Sequence, residues 1–342
     1  MQTFATFVLH DIKDSKMKVL VTGANGLLGH QVVIELLRRN HRVSIIVRSE
    51  RNIYFDLNAV EVHTGNFTDY HQLKTASQGC DAIIHIAAVT ATNLLHYEDY
   101  QRINAVGAGL IVKVSEELKI DKLVFVSTAN TVGYGRLNQL ADETYPVQPP
   151  FSNSYYAQSK VKAEKIFSNA ANKNGKHVVI VNPSFMIGAY DTKPSSGKLM
   201  LMGFRKTVLF IPGGGKNFVP VRDVARVVCN ALTQGRSGER YLVTGVNMSF
   251  LEYYNLQSKI AGYKQFIVII PDIFLKIAGM AGDIIRKFGL KTEICSMNIN
   301  QLMIREYYSN AKAQKQLGLN PSDLESAITE ALNWFKKYST PK

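Results

Sequence analysis

The stretch NSYYAQSKVKAEK, residues 153–165, contains tyrosines and lysines with a spacing suited to proton transfer. Residues four apart share a helix face, so Tyr156 lies beside Lys160, whereas Tyr155 lies beside Ser159. A nearby ammonium favours phenolate over phenol and lowers the pKa of a tyrosine from its reference value near about 10. Tyr156 is therefore the candidate acid. Any helix rich in tyrosine and lysine produces such a pair, so the spacing alone does not show that the pair is catalytic. The elements that position it must be considered as well.

A glycine-rich loop follows the first apolar run of the chain. The run MKVLVT (17–22) predicts a strand, TGANGLLG follows it, and LLGHQVVIELLRRN has a helical pattern. Glycines at this point allow a tight turn and let the backbone approach a diphosphate, whose charge the helix N-terminus stabilises. This order at the start of a βαβ unit predicts dinucleotide binding, and the alternative is a turn with close helix packing. The predicted binding residues of the loop are Gly23, Gly26, Leu27, Leu28 and Gly29.

The end of the second predicted strand bears on the choice of cofactor. An acidic side chain there would bind the ribose hydroxyls of NAD, but this chain has Val47 and then Arg48. No carboxylate repels a 2′-phosphate, and the guanidinium can grip one in a forked geometry. We therefore expect NADP(H) to be preferred and NAD(H) to be possible. The alternative is an ordinary surface arginine.

Short β-branched apolar runs alternate with helical patterns. The runs are MKVLVT (17–22), RVSIIV (42–47), AIIHIA (82–87), KLVFVS (122–127) and HVVIVN (177–182). This alternation predicts an α/β fold with a Rossmann-type doubly wound parallel sheet. After Pro183 the pattern loosens into glycine-punctuated stretches. We expect a dinucleotide-binding domain over 17–185 and a smaller C-terminal α/β substrate-binding region over 186–342, with 218–245 returning to the first domain.

Composition narrows the range of partners. The apolar fraction of 46% and the charged fraction of 20% are ordinary for a globular protein. The net charge of +13 suits an anionic partner such as a phosphorylated cofactor, nucleic acid or a membrane surface. Lysines and arginines are scattered, so we expect no nucleic-acid partner. The three cysteines, Cys80, Cys229 and Cys295, lack metal-ligand spacing, which predicts reduced packing residues, no metal site and a cytoplasmic protein.

Two segments bear on targeting and membranes. Residues 1–16 lack the basic start and long apolar stretch of a signal peptide, so we expect a flexible N-terminal extension before Met17. The most lipid-like stretch is FIVIIPDIFLKIAGMAGDII at 266–285, which is too broken to predict a transmembrane segment. The residues that interrupt it are Pro271, Asp272, Lys276 and Asp283.

Five ordered motifs together resemble the extended short-chain dehydrogenase/reductases, which are NAD-dependent epimerase/dehydratase-like proteins. The motifs are TGANGLLG, IIHIAA (83–88), FVSTANTVG (125–133), YAQSK (156–160) and NPSFMIG (182–188). Within that family the chain looks most like the dihydroflavonol reductase-like and hopanoid-associated sugar epimerase-like branch. The similarity continues through FVPVRDVARVV (218–228) and residues 311–335, so it covers nearly everything after Met17.

The resemblance implies a catalytic set of Thr128, Tyr156 and Lys160. In that family the tyrosine of Y-x-x-x-K moves the proton of the substrate oxygen, and the lysine holds the nicotinamide ribose and lowers the tyrosine pKa. A hydroxyl residue after the preceding strand orients the substrate carbonyl, and Thr128 matches it most closely. Ala129 would take that position in an alignment to relatives with V-Y-G, and Ser127 is the fallback. Thr128 could also merely cap the strand.

The resemblance also implies further cofactor contacts. Asn66 and Phe67 match an adenine-contacting pair, although relatives usually have aspartate at the first position. The remaining implied residues are Ala87 and Ala88 beside the cofactor, Asn104 behind the catalytic group, Pro183 and Met186 on the nicotinamide side, and Ser127 as a further cofactor-binding residue. Asn104 could equally be only a structural hydrogen-bonding residue. His85 lies in an apolar strand pattern, so we interpret it as a core histidine.

Three functions fit these residues. The first is NADP(H)-dependent reduction of a carbonyl in a small or medium organic substrate. The second is epimerisation or dehydration of a nucleotide-sugar, which needs basic groups for a diphosphate. The basic residues available in the second region are Arg205, Lys206, Lys216 and Arg222. The third is a dinucleotide sensor without catalysis, against which an intact Tyr156 and Lys160 argue. A homodimer could pair through the helix at 156–170.

Overall fold

The computed structural model describes residues 16–192, 194 and 196–338. The expected N-terminal extension lies outside the described residues except for Lys16. Among the helices described, none is both long and apolar enough to cross a membrane.

The strands are numbered β1 to β12 in chain order. They are β1 (Lys18–Thr22), β2 (Arg42–Val47), β3 (Val60–Thr64), β4 (Ala82–His85), β5 (Lys122–Val126), β6 (His177–Pro183), β7 (Phe185–Ile187), β8 (Val208–Ile211), β9 (Gly215–Pro220), β10 (Arg240–Val243), β11 (Val246–Ser249) and β12 (Phe266–Ile269). The helices are α1 (Leu27–Arg38), α2 (Tyr70–Ala76), α3 (Tyr97–Tyr100), α4 (Gly107–Glu117), α5 (Tyr155–Asn174), α6 (Gly197–Gly203), α7 (Val221–Asn230), α8 (Phe250–Ala261), α9 (Asp272–Lys287), α10 (Ser296–Met303), α11 (Ala311–Leu317) and α12 (Leu324–Tyr338).

A seven-stranded parallel sheet forms the centre, in the order β10-β6-β5-β4-β1-β2-β3. Five of its strands are the five predicted apolar runs, which confirms the Rossmann-type doubly wound fold. The strand order reverses between β1 and β4, and such a switch point leaves a crevice at the carboxyl ends of the strands. The glycine loop after β1 and the loop after β4 therefore meet there.

Apolar side chains on both faces of this sheet explain the continuous apolar runs. Val19 and Val21 pack with residues of α1 and α7, whereas Leu20 packs on the opposite face with residues of α4 and α5. All three are fully buried. Side chains alternate between the two faces of a strand, so a strand covered by helices on both sides must be apolar at nearly every position.

The C-terminal half builds two smaller sheets. One has the order β11-β9-β7, and the other pairs β12 with β8. A separate apolar cluster joins this part to α8 and α12. Between these elements the chain comes back to the main sheet, because α7 packs against α1 and β10 pairs with β6. The C-terminal elements thus stand over the carboxyl edge of the main sheet.

Candidate active site

Two cavities open at the carboxyl edge of the main sheet and share part of their walls. The glycine-loop cleft, of about 660 Å³, runs from the loop after β1 to α5. The C-terminal cavity, of about 640 Å³, lies between the ends of β5 and β6 and the segment containing α9 and α10. Residues common to both walls include Thr90, Leu94, Ser127, Tyr156, Pro183 and Met186. A group bound at this junction would face both cavities.

The three glycines of the loop have different physical roles. Gly23 has a φ of +78°, and a Cβ there would lie 2.7 Å from the Ala87 nitrogen. A Cβ on Gly29 would lie 2.0 Å from the Gly23 carbonyl oxygen, so close packing of α1 requires glycine. A Cβ on Gly26 would meet that oxygen at 3.4 Å, an ordinary contact. Packing therefore does not require Gly26, which leaves open space toward the cleft.

The start of α1 fits an anionic ligand. The helix begins after Gly26, and no side chain caps its first amide groups. Unsatisfied amides at a helix N-terminus bind phosphate oxygens, and the helix dipole favours negative charge there. Leu27 and Leu28, the first two residues of the helix, line the cleft. This end of the cleft fits the diphosphate of a dinucleotide.

The opposite end of the cleft carries the residues predicted for the adenosine half. Arg48 is exposed at the cleft directly after β2. Asn66 accepts a hydrogen bond from the Thr68 nitrogen at 3.1 Å, and the Phe67 ring lies 5.2 Å from the ring of His85. Other predicted residues that line the cleft are Ala87, Ala88, Ser127, Pro183 and Met186.

Asn104 supports the cleft wall from behind and lines neither cavity. It is buried in the wide helical turn Gln101–Val106. Its side chain accepts a hydrogen bond from the Val89 nitrogen at 2.8 Å and donates to the Val89 oxygen at 3.1 Å. It also donates to Ser159 Oγ at 3.0 Å. Asn104 thus ties the loop after β4 to α5, which is a positioning role.

His85 is a neutral core residue. Its Nδ1 lies 2.7 Å from Thr22 Oγ1, and its ring stacks with the rings of Phe125 and Phe167. Complete burial lowers the pKa of His85 to about 3. A histidine that stays neutral at physiological pH in an aromatic core agrees with the interpretation made from the strand pattern.

The start of α5 separates the two neighbouring tyrosines. Ser154 caps the helix by accepting from the Ala157 nitrogen at 3.5 Å. Tyr155 is 42% exposed, whereas Tyr156 is partly buried at the junction of the two cavities. The Tyr156 hydroxyl faces the Thr128 side chain, and both residues line the C-terminal cavity. The helix register therefore brings Tyr156, rather than its neighbour, to the predicted hydroxyl residue.

The residues on either side of Thr128 differ in what they offer a ligand. Ala129 is buried in an apolar cluster and has no hydroxyl, so it cannot replace Thr128 as a hydrogen-bonding residue. Ser127 is buried and lines both cavities. Its Oγ has no hydrogen-bond partner among the described residues, which leaves a polar group for a bound ligand.

Lys160 lies one helical turn after Tyr156 and is almost completely buried. Its Nζ donates to the Val126 oxygen at 2.7 Å and lies 4.3 Å from the centre of the Phe125 ring. Burial lowers the pKa of Lys160 to about 7. Burial also raises the pKa of Tyr156 to about 12, although the hydrogen bond with Thr128 opposes this change.

The expectation that Lys160 lowers the pKa of Tyr156 is therefore wrong for this structure. The lysine ammonium is directed at the Val126 oxygen. Desolvation also favours the neutral amine, so only part of the Lys160 population is charged near neutral pH. Desolvation of the phenol is the larger effect on Tyr156.

The C-terminal cavity contains opposite charges that largely neutralise each other. Lys216 Nζ lies 2.5 Å from Glu306 Oε1, and burial raises the pKa of Glu306. Arg286 of α9 donates to the Leu94 oxygen at 2.7 Å. Further charged and apolar side chains in the wall are Asp283, Glu293, Phe185, Met297 and Leu302. Nothing in the sequence indicated that Glu306 and Arg286 belong to this site. Each contacts a residue far away in the chain: Glu306 meets a lysine 90 positions away, and Arg286 meets an oxygen 192 positions away.

The four basic residues considered for a diphosphate are not gathered at this cavity. Lys216 is in its wall and is paired with Glu306. Arg222 pairs with Glu330 at 2.9 Å and is not among the residues lining the cavity. Arg205 and Lys206 are exposed and are also absent from that wall.

Known proteins resemble this chain over most of its length. A model of the NAD dependent epimerase/dehydratase family matches residues 19–244. A provisionally named dihydroflavonol 4-reductase of Synechocystis sp. is 28% identical over 334 residues, which cover 94% of this chain and 95% of that protein. Sterol demethylase protein B of Methylococcus capsulatus is 26% identical over 327 residues, which cover 94% of this chain and 99% of that protein.

A solved structure titled "Crystal structure of gox2253" superimposes with a TM-score of 0.80 at 28% identity, covering 96% of this chain and 100% of that one. The family match spans well over half of the chain and includes the glycine loop, Thr128, Tyr156 and Lys160. The chain therefore belongs to the NAD-dependent epimerase/dehydratase family and is an NAD(P)-dependent oxidoreductase of the extended short-chain dehydrogenase/reductase type.

Proposed function

We propose that this protein is an NADP(H)-dependent reductase that acts on a carbonyl group of a small or medium organic substrate. The observation that carries the proposal is Tyr156 at the junction of the two cavities, with the Thr128 side chain facing it from the wall of the C-terminal cavity. A carbonyl oxygen within hydrogen-bond reach of both would have its carbon directed toward the glycine-loop cleft. This is the arrangement that hydride transfer with concerted protonation requires.

The residues of the cleft fit the proposed cofactor. The amides at the start of α1 would hold the diphosphate, and Gly26 gives it room. Arg48 would grip a 2′-phosphate, and Lys160 would reach the ribose beside the nicotinamide. When bound, the nicotinamide supplies the hydride.

The pKa of Tyr156 suits the reductive direction. At about 12 it keeps the phenol protonated at neutral pH, so Tyr156 can donate its proton to the oxygen as negative charge develops there. Thr128 hydrogen-bonds the same oxygen and orients the carbonyl. The reverse reaction needs the phenolate, which is scarce at neutral pH.

The charges of the C-terminal cavity favour an uncharged substrate over a nucleotide-sugar. A diphosphate needs cations that are free to bind it, but Glu306 neutralises Lys216, and Arg286 donates to the Leu94 oxygen and to Cys295 Sγ. Asp283 adds negative charge to the same wall. The family description includes epimerases and dehydratases, so nucleotide-sugar chemistry remains the second candidate.

The test is NADPH oxidation with a panel of uncharged aldehydes and ketones, run beside a panel of UDP- and dTDP-sugars. Native mass spectrometry of the purified protein accompanies it. We expect turnover with a carbonyl compound and a dinucleotide that exchanges freely. Conversion of a nucleotide-sugar by protein that retains its dinucleotide would contradict the proposal and favour the second candidate.

A further inference from the structure

Helix α9 exposes an apolar face to solvent. Ile273, Ile277, Met280, Ile284 and Phe288 recur every three or four residues, so at about 100° per residue they lie along one side. Phe274 and Ile285 widen the stripe, and we call these seven residues the outer face of α9. They are 43–79% exposed, which amounts to on the order of 800 Å² of contiguous apolar surface, more than a monomer ordinarily exposes.

The packing of α9 prevents this face from turning inward. Its buried side carries Leu275, Gly279 and Gly282. A Cβ on Gly282 would lie 1.6 Å from the Ile294 oxygen, and one on Gly279 would lie 3.0 Å from Ser296 Cα. The helix backbone is therefore pressed against the segment that leads into α10, and only glycines fit there. The outer face is a fixed feature of the fold.

Lysines border one edge of the outer face. At about 100° per residue, Lys276 and Lys287 lie on the same side of the stripe, next to Met280. Both are exposed, and neither forms an ion pair with a described residue. Asp272 is the exposed acidic residue of α9, and Glu293 is already paired with Lys198 at 2.5 Å. An apolar helix face bordered by lysines complements an anionic bilayer surface.

We propose that the outer face of α9 docks on the surface of a bilayer that contains anionic phospholipid, with α9 in the plane of the interface. The alternative occupant is a second copy of this chain. A two-fold contact would bring Lys276 and Lys287 of one copy toward the same residues of the other, in a chain whose net charge is +13. In an anionic bilayer, the apolar stripe would contact the acyl region and the lysines would contact the anionic headgroups.

Helix α9 also forms part of the wall of the C-terminal cavity. Asp283 and Arg286 line the C-terminal cavity from the side of α9 opposite the outer face, and Arg286 holds the loop that carries Leu94. Docking through the outer face would therefore place the bilayer on the other side of α9 from the cavity. The docking surface itself does not depend on the proposed reaction.

The test is co-sedimentation of the full-length protein with vesicles of phosphatidylcholine alone or with phosphatidylglycerol added. We expect binding to be at least about tenfold tighter to the anionic vesicles and to weaken as salt is raised. The variant I277E/I284E should lose at least about tenfold in affinity, because it puts two charges in the outer face. The matched control is L137E, at an apolar residue that is 65% exposed and outside this face, and it should bind like the parent protein.

A second variant keeps the proposal testable if I277E/I284E fails to fold. K276Q/K287Q retains the apolar stripe and should lose only the preference for anionic vesicles. Equal binding of the parent protein to both vesicle types, or no binding to either, would overturn the proposal. So would equal loss in L137E. A dimer in sedimentation velocity that I277E/I284E dissociates, without vesicle binding, would assign the face to a second copy instead.

Discussion

Replacing Lys160 with methionine should stabilise the protein at neutral pH and lose this advantage as the pH rises. Burial holds the pKa of Lys160 at about 7, against an ordinary value of 10.5. Between these pH values the unfolded chain keeps a proton that the folded protein has released. The buried lysine therefore costs no stability above about pH 10.5, and this cost grows as the pH falls toward 7. Methionine has a similar length and no charge, so it removes that penalty.

The size of the effect follows from the two pKa values. At about 1.4 kcal/mol per pH unit, the difference between 10.5 and about 7 corresponds to roughly 5 kcal/mol, of which about 3 kcal/mol accrues between pH 7 and about pH 9.5. Loss of the 2.7 Å hydrogen bond to the Val126 oxygen costs about 1–2 kcal/mol. Lys160→Met should thus gain roughly 2–3 kcal/mol at pH 7 and close to nothing at about pH 9.5.

Urea unfolding of the parent protein and the variant at both pH values, without added dinucleotide, measures this difference. Lys162→Met is the matched control, since Lys162 is exposed on the same helix, and its effect should be small and independent of pH. Dinucleotide affinity should fall in Lys160→Met alone. A Lys160→Met protein that is less stable than the parent at pH 7, or whose gain is the same at both pH values, would refute the reasoning.

Three further predictions concern the cleft and the acid. Arg48→Ala should weaken NADPH binding about tenfold and leave NADH binding unchanged in a fluorescence titration; equal losses would argue against a 2′-phosphate contact. Gly26→Ala should fold normally but bind dinucleotide more weakly, whereas Gly29→Ala should melt far lower, because its Cβ would lie 2.0 Å from the Gly23 oxygen; equal melting curves would contradict these roles. Because the pKa of Tyr156 is about 12, alcohol oxidation should keep rising with pH into the alkaline range while carbonyl reduction does not, and an oxidation rate that levels off near neutrality would contradict the raised pKa.

The central strands were predictable because they are covered on both faces. β1, β2, β4, β5 and β6 lie between two helical layers, which demands continuous apolar sequence. The edge strand β3 was missed, since its sequence VEVHT mixes polar residues and exposes Glu61 to solvent. β10 was missed as a strand because it has only three consecutive apolar residues, between Arg240 and Thr244.

The candidate site was predictable where it depends on local spacing. Helical periodicity places Tyr156 and Lys160 on one side of α5, and the glycine loop follows from strand, turn and helix in sequence. Burial depth has no such local signal, so the rise in the pKa of Tyr156 was not predictable. The Lys216–Glu306 pair likewise depends on a fold that brings distant segments together.

Turnover of Tyr156→Phe and Tyr155→Phe, measured at the nicotinamide absorbance with a substrate found in the carbonyl panel, tests the catalytic assignment most directly. Tyr156→Phe keeps the ring and removes the hydroxyl that faces Thr128, so kcat should fall about a hundredfold or more. Tyr155→Phe alters an exposed residue and should change kcat far less. Loss of turnover in Tyr155→Phe with retention in Tyr156→Phe would contradict the assignment of Tyr156 as the proton donor.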